Sequence, residues 1–448
     1  MKIDMYSHLT VKDLLKFTAP SIAMMIFSSV YYIIDGLFVA NFVGTTGLAA
    51  VNLIMPFIMI LGTVGFMIGT GGTAIVAKTF GEKDPERANR YFSMFIYAAL
   101  VLGIIFAVAG QFFIIPIATM LGASGELLAM CHVYAAISLV SLPFFVLQYV
   151  FQEFFVAAGK PNVGFFVVFG AGIINIVLDA LFIAGFGWGV AGAAIATAIG
   201  EFFGGIVPLV YFARKKASPL RLGKTSFNFR IFGKACVNGS SEMVTNIAMS
   251  LVGMLYNYQL MHMIGAEGVA AYGVIMYVVM VFSAIFMGYA MGSAPLMSIQ
   301  YGAKNHTEMR SLWHKGMGII GVSGIIMFVA AELLARPISA AFVGYDPALL
   351  DMTTHAFMIY SVAYLLMGFS IYGSSFFTAL NNGLVSAVIS FLRTLVFETS
   401  AIIILPMIFG IDGIWAAIIV AEFAAVVVTL IFMFALGKPY GYRLDTPM

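Results

Sequence analysis

The chain has 448 residues, of which 62% are hydrophobic and 9% charged, and its mean hydropathy is +1.03. A water-solvated globule needs far more polar surface than this, so soluble enzymes and nucleic-acid-binding domains are excluded and a polytopic membrane protein is expected. The net charge of +2 says little in itself.

In chain order, a short polar lead, MKIDMYSHLTVKDLLKF, has no small-residue cleavage site and is not read as a removed signal. Apolar runs long enough to cross about 30 Å of hydrocarbon then follow. They lie at 17–41, 49–77, 91–115, 128–156, 163–186, 190–213, 240–263, 269–299, 316–338, 352–379, 384–409 and 413–437. Span 1 contains YYIIDGLFVANF, with Asp35 inside an apolar run; span 4 carries Tyr134; span 5 carries Asn175 and Asp179; span 6 carries Thr197 and Glu201. The longest polar connection runs from Arg214 to about Lys234, which leaves no room for a soluble domain. In the second half, Glu242 opens span 7, His355 opens span 10, Arg393 and Glu398 lie in span 11, and Glu422 lies in span 12. Cys131 and Cys236 fall on opposite sides of the membrane in this layout, so a bridge between them is not expected.

Of the 22 basic residues, 20 fall on one set of connections, leaving only Arg336 on the other side and Arg393 within a span. The positive-inside rule then puts both termini in the cytoplasm, and an odd number of spans would scramble the segregation. An internal repeat supports the same count. At one offset of 221, GTTGLAA at 44–50 matches GAEGVAA at 265–271, FGEK at 80–83 matches YGAK at 301–304, and GVAGAAIATAIGE at 189–201 matches GIDGIWAAIIVAE at 410–422. Six spans per repeat is an even number, so the halves run parallel. The expected fold is all-α: twelve transmembrane helices in two pseudo-symmetric six-helix bundles around a central cleft, an architecture suited to alternating access. The divisions are an N-terminal lobe at 1–213, a cytoplasmic linker at 214–239 and a C-terminal lobe at 240–448.

A carboxylate in hydrocarbon costs several kcal/mol unless it faces protein or water and finds partners. Counting from the outer turns at 1.5 Å per residue puts Asp35 and Asp179 roughly 12 Å deep, with Tyr134 and Thr197 at the same level and Asn175 one turn deeper. Two carboxylates among amide and hydroxyl groups can share a proton; alternatively, the oxygens of Asp35, Asn175, Asp179 and Thr197 can ligate Na⁺. In the second half the matching positions are Tyr256, Ser400, Ile418 and, for Tyr134, His355, so the cluster is not repeated. His355 is a secondary candidate for pH response. Glu201 and Glu422 are repeat mates, which suggests a structural task. Arg393 is expected to pair with Glu398 or, across the bundle, with Glu242. Glu153 is read as snorkelling at the cytoplasmic end. The 29 Met and 42 Phe suit a cleft for flat apolar cations.

These stretches together resemble the multidrug and toxic compound extrusion family: Ala19–Pro20, DGLFVANFVGTTGLAAV at 35–51, GTGGTAIVAKTFGEKDPERAN at 69–89, NIVLDALFI at 175–183, GVAGAAIAT at 189–197, and NGSSE with MLYNYQLM within 238–261. The resemblance is closest to the branch whose coupling residues lie in the N-terminal lobe. It implies that Asp35, Asn175, Asp179, Tyr134 and Thr197 form the cation-coupling site. It also implies a monomeric antiporter of the bacterial cytoplasmic membrane, driven by H⁺ or Na⁺ without a cofactor, that exports small amphipathic organic cations. A flippase for a lipid-linked sugar is the alternative; it needs a basic cleft, for which Arg393 is the only clear buried cation. No diphosphate-binding, HExxH, GxSxG or Walker motif points to an enzyme.

Overall fold

The computed structural model describes residue 5, residues 7–214 and residues 218–442. Of the segregated basic residues, Lys2, Lys215, Lys216 and Arg443 lie outside the described residues. The first half comprises α1 (Val11–Phe38, extended by a wide π-helical turn at Val39–Val43), α2 (Thr45–Gly81), α3 (Pro85–Met120), α4 (Gly125–Ala157), α5 (Pro161–Asp179, extended by a wide turn at Ala180–Gly185) and α6 (Gly189–Ala213). The second comprises α7 (Phe229–Met263), α8 (Ala266–Gly302), α9 (His306–Val343), α10 (Pro347–Ser361 and Tyr364–Ala379), α11 (Gly383–Phe391, a wide turn at Leu392–Glu398, then Thr399–Phe409) and α12 (Ile411–Ala435), followed by the short α13 (Gly437–Tyr440). Ten of the twelve long paths are long and apolar enough to span a bilayer as single helices, while α10 is broken with a 47° bend. The remaining path, α7, is 35 residues long, but Arg230, Lys234, Asn238, Glu242 and Asn246 make its first half polar. It begins at Phe229, well before the apolar run at 240, so part of the expected linker is helix.

The repeat is visible in backbone geometry as well as in sequence. Gly44 and Gly265 hold φ of 89° and 91°, Gly189 and Gly410 hold 57° and 62°, and Lys83 and Lys304 stand in the left-handed region at 61° and 55°. Each pair is separated by 221 residues. The residue after each lysine, Asp84 or Asn305, caps the next helix through its side chain. Packing repeats too: α1 lies on α5 as α7 lies on α11, α2 on α4 as α8 on α10, and α4 on α6 as α10 on α12.

Between the halves, α1 packs on α8 and α2 on both α7 and α8. These crossings are built from glycine. A Cβ at Gly81 would stand 2.0 Å from the Ile299 carbonyl oxygen, and one at the repeat mate Gly302 would stand 2.0 Å from that of Lys78. Likewise Gly71 and Gly239 let α2 and α7 touch through backbone, and Gly288 and Gly292 do so for α8 against Ile22 and Thr18 of α1. All of these contacts lie toward the end that carries the basic connections, called the basic end below. There Asn381 Nδ2 also donates to the Ala74 carbonyl at 3.3 Å. The segment before α1 straps across to the second half: the Leu9 amide donates to Glu308 Oε1 at 3.0 Å, His8 Nδ1 lies 2.6 Å from Glu308 Oε2, and Gln300 Nε2 donates to the Met5 carbonyl at 2.9 Å. Lys315 donates to the Leu9 carbonyl. Further toward the opposite end, Ser29 Oγ donates to the Met280 carbonyl at 3.1 Å. Beyond it, a Cβ on Gly36, Gly253 or Gly273 would meet open space. The halves are joined at the basic end and part toward the other.

If backbone contact at these glycines holds the halves together, Gly71→Ala should destabilise the protein by about 1–3 kcal/mol through overpacking. It should lower the melting temperature and speed maleimide labelling of Cys236, a half-buried free thiol next to the Ala235 contact. Gly253→Ala should do neither. Unchanged melting and labelling in Gly71→Ala would show that the halves are not held there.

Candidate functional site

The residues singled out on spans 1, 4, 5 and 6 converge inside the first half. Asp179 and Asn175, on one face of α5, are 0% and 4% exposed, and Tyr134 of α4 is 1% exposed. Asn175 Nδ2 donates to Thr197 Oγ1 of α6 at 3.2 Å. The carboxyl groups of Asp35 and Asp179 face each other closely enough that each acts directly on the other. Tyr134 lies within electrostatic reach of Asp35, Glu201 and Asp179. A cavity of about 30 Å³ lies beside Asn175 and Thr197, lined also by Tyr31, Tyr32, Tyr134 and Glu201, among others. It has room for about two water-sized bodies and none for a drug.

This group is rich in acceptors and poor in donors. Asp35 Oδ1, both Asp179 oxygens, Asn175 Oδ1 and Glu201 Oε2 are buried without a hydrogen-bond donor. Two ionised carboxylates cannot bond to each other, since both only accept; they become satisfied when a proton or a cation comes between them. Among the described residues, no three His, Cys, Asp or Glu side chains converge as for a transition metal. The donor set is instead one of carboxylate, amide and hydroxyl oxygens, which suits a proton or a hard monovalent cation.

Local backbone contributes to the placement. A wide turn begins four residues after Asp35 in α1 and immediately after Asp179 in α5. Such turns break the regular ladder, as the Phe186 amide shows by donating to the Leu181 carbonyl five residues back at 2.8 Å. Sequence reading missed both turns, and it missed Tyr31 and Tyr32 of α1. Their rings stack with centroids 4.5 Å apart, and the Tyr32 hydroxyl reaches that of Tyr149 at 3.1 Å. Aromatic residues beside an intramembrane aspartate were the available signal.

The second half is built differently. Arg393 does not pair with Glu398 or Glu242, as the sequence suggests. Its Nε and Nη2 both contact Glu422 Oε1 at 2.7 Å, and Ser370 Oγ donates to Glu422 Oε2 at 2.7 Å. Residues five apart do not face each other on a regular helix, and Glu422 of α12 stands in direct contact with the guanidinium. The repeat mates Glu201 and Glu422 therefore differ: the second is locked by Arg393, whereas the position matching Arg393 in the first half is Gly172, against which Phe27 and Tyr31 pack. Glu422 is thus tied into a buried ion pair, whereas Glu201 lines the small cavity. His355 is an exposed residue whose Nε2 lies 2.9 Å from Asp412 Oδ1, so it belongs to the surface. Glu153 does not snorkel outward: its Cγ lies beside Gly69, Thr70 Oγ1 donates to it at 3.4 Å, and Glu242 lies within its electrostatic reach across the halves.

Comparison with known proteins adds what geometry alone does not. The MatE family profile matches residues 20–181 and 243–403, one segment in each half. The chain belongs to the MatE family. It is accordingly a multi-pass membrane transporter and not an enzyme. It is similar to the multidrug export protein MepA of Staphylococcus aureus strain MRSA252, at 24% identity over 428 residues covering 95% of this chain and 94% of that one. Its fold matches that of a MATE crystallised in complex with MaL6, with a TM-score of 0.93 and 20% identity over 98% of each chain. It also matches an outward-facing multidrug resistance MATE family transporter of the MOP superfamily, with a TM-score of 0.92 and 21% identity over 98% of each chain.

The lock in the second half makes a stability test. Arg393→Met leaves Glu422, 1% exposed, with only Ser370 for a partner, and should cost about 3–5 kcal/mol. The double variant Arg393→Met/Glu422→Leu should recover most of that loss, as read by melting temperatures in detergent. Additive losses would mean that the pair is not the contact that matters.

Proposed function

We propose that this MatE transporter is a cation-coupled antiporter, driven by H⁺ or Na⁺, that exports small amphipathic organic cations by alternating access. The observation that carries the reading is the Asp35 and Asp179 pair, in which Asp35 Oδ1 and both Asp179 oxygens, together with Asn175 Oδ1, are buried without donors. A proton or Na⁺ entering there satisfies acceptors that are otherwise stranded, and its departure strands them again. Asp35, Asn175, Asp179, Tyr134 and Thr197 are the coupling residues in this reading, with Glu201 in the wall of the adjoining cavity. Its sequence likeness to a multidrug export protein supports the choice of substrate class.

The rocking bodies are the first half, 1–213, and the second half, from 240 onward, with the intervening connection as linker. Cation binding changes the packing around the wide turns beside Asp35 and Asp179, and so favours one lobe state over the other. Drug and cation then compete through that difference in affinity. The basic end faces the cytoplasm by its charge, with both termini inside a bacterial cytoplasmic membrane. The chain works as a monomer without a cofactor. A lipid-linked sugar flippase is disfavoured, because Arg393 is neutralised by Glu422 and leaves no free buried cation among the described residues of the second half to hold a pyrophosphate.

In reconstituted vesicles, Asp35→Asn and Asp179→Asn should each abolish gradient-driven dye export. Both should melt no lower than the parent, since each removes a buried charge that has no donor. Imposing pH and sodium gradients separately on the parent identifies the ion. Undiminished export by either variant, under whichever gradient drives the parent, would refute the assignment.

A further inference from the structure

A second, larger cavity lies between the halves at the basic end. Its volume is about 560 Å³, within the range of about 300–1,000 Å³ usual for small-molecule sites. α2 and α3 wall it on one side and α7, α8 and α13 on the other, so whatever fills it touches both bodies. Lys78 and Arg87 line the first wall and Lys234 the second, against one lining carboxylate, Glu82. Arg87 holds Glu82 at 2.5 Å and Lys78 reaches it only at 3.9 Å. Lys234 has no ion-pair partner among the described residues. Arg87 is also held by Asp84, its Nε 3.3 Å from Asp84 Oδ2, so three cations beside two carboxylates leave an excess of one positive charge in a crevice whose walls concentrate the field.

The lining is also built to hold a direction. The Lys78 ammonium sits over the Tyr301 ring, 5.2 Å from its centroid, which fixes it at the boundary between the halves. Asn238 is 3% exposed; its Nδ2 donates to the Thr378 carbonyl at 2.9 Å, while its Oδ1 has no donor. An occupant matched to these walls carries negative charge for the lysines and a hydroxyl for Asn238. Both needs are met by a phosphate whose carrier bears a hydroxyl.

We propose that this cavity binds a phosphate-bearing ligand of the glycerol-phosphate type, which bridges Lys78 and Lys234 and holds the halves closed at the basic end. Since the two lysines stand on different bodies, the ligand makes its full set of contacts only when those bodies meet, and it stabilises that state by its differential affinity. The site is separate from the coupling cluster and does not depend on which ion drives transport. The phosphate can come from an anionic lipid headgroup or from a soluble compound.

The test uses the full-length protein in neutral detergent, with dihexanoyl-phosphatidylglycerol, dihexanoyl-phosphatidylcholine and glycerol 3-phosphate as probes. Binding is counted by native mass spectrometry, and closure is read from the rate of maleimide labelling at Cys236, the half-buried thiol in the same helix. Phosphatidylglycerol is expected to bind and to slow labelling several-fold. The double variant Lys78→Gln/Lys234→Gln should bind at least tenfold more weakly, and Lys78→Arg/Lys234→Arg should restore binding. If glycerol 3-phosphate acts equally well, the ligand is soluble; if only the lipid acts, it is a headgroup. Either result supports the site. Equal binding of the choline lipid, or unchanged binding by the glutamine variant, overturns it. Both lysines reach solvent, so these variants should fold; the arginine pair checks this.

Discussion

Everything in this fold rests on two helix bundles meeting backbone to backbone at one end. In hydrocarbon, apolar surface gains little from being buried against other apolar surface, and helices associate through close packing. Glycines at 71, 81, 239, 288, 292 and 302 permit that approach, and among them 71 with 292 and 81 with 302 are mates in the repeat. Because the contact is narrow and confined to the basic end, the rest of the interface is free to part. A cleft follows from where the small residues are, without any special hinge.

Within the first half, a different constraint operates. A membrane interior offers no water to a stranded acceptor, yet Asp35, Asp179 and Asn175 present several oxygens with no donor. The second half faced the same problem at Glu422 and solved it with Arg393 and Ser370. One bundle holds a closed, neutral pair. The other holds buried acceptors that no protein donor meets.

Much of this was legible in the sequence. Hydropathy, the segregation of basic residues and the offset of 221 marked the twelve helices and their parallel halves, because length, charge and repetition are properties of the chain itself. The convergence of Asp35, Tyr134, Asn175, Asp179 and Thr197 was legible for a similar reason: depth in a membrane can be counted along a helix. What could not be read was rotation. Depth says nothing of which way a side chain turns, so His355, which matches Tyr134 in the repeat, proved to be exposed and paired with Asp412, and Glu153 proved to turn inward beside Gly69. Arg393 was misassigned because its partner Glu422 stands on another helix, and spacing along one helix does not report contacts between helices. The early start of α7 at Phe229 was hidden because its first turns are too polar to resemble a span.

The strap before α1 has a mechanical consequence. Residues that the chain order assigns to the first bundle are bonded to Glu308, Gln300 and Lys315 of the second, so α1 is anchored to one body at its root and embedded in the other along its length. Any relative movement of the two bodies would be transmitted to the same helix that carries Asp35. A fusion partner or affinity tag placed ahead of residue 5 would load that helix, whereas one placed after α13 would leave it alone.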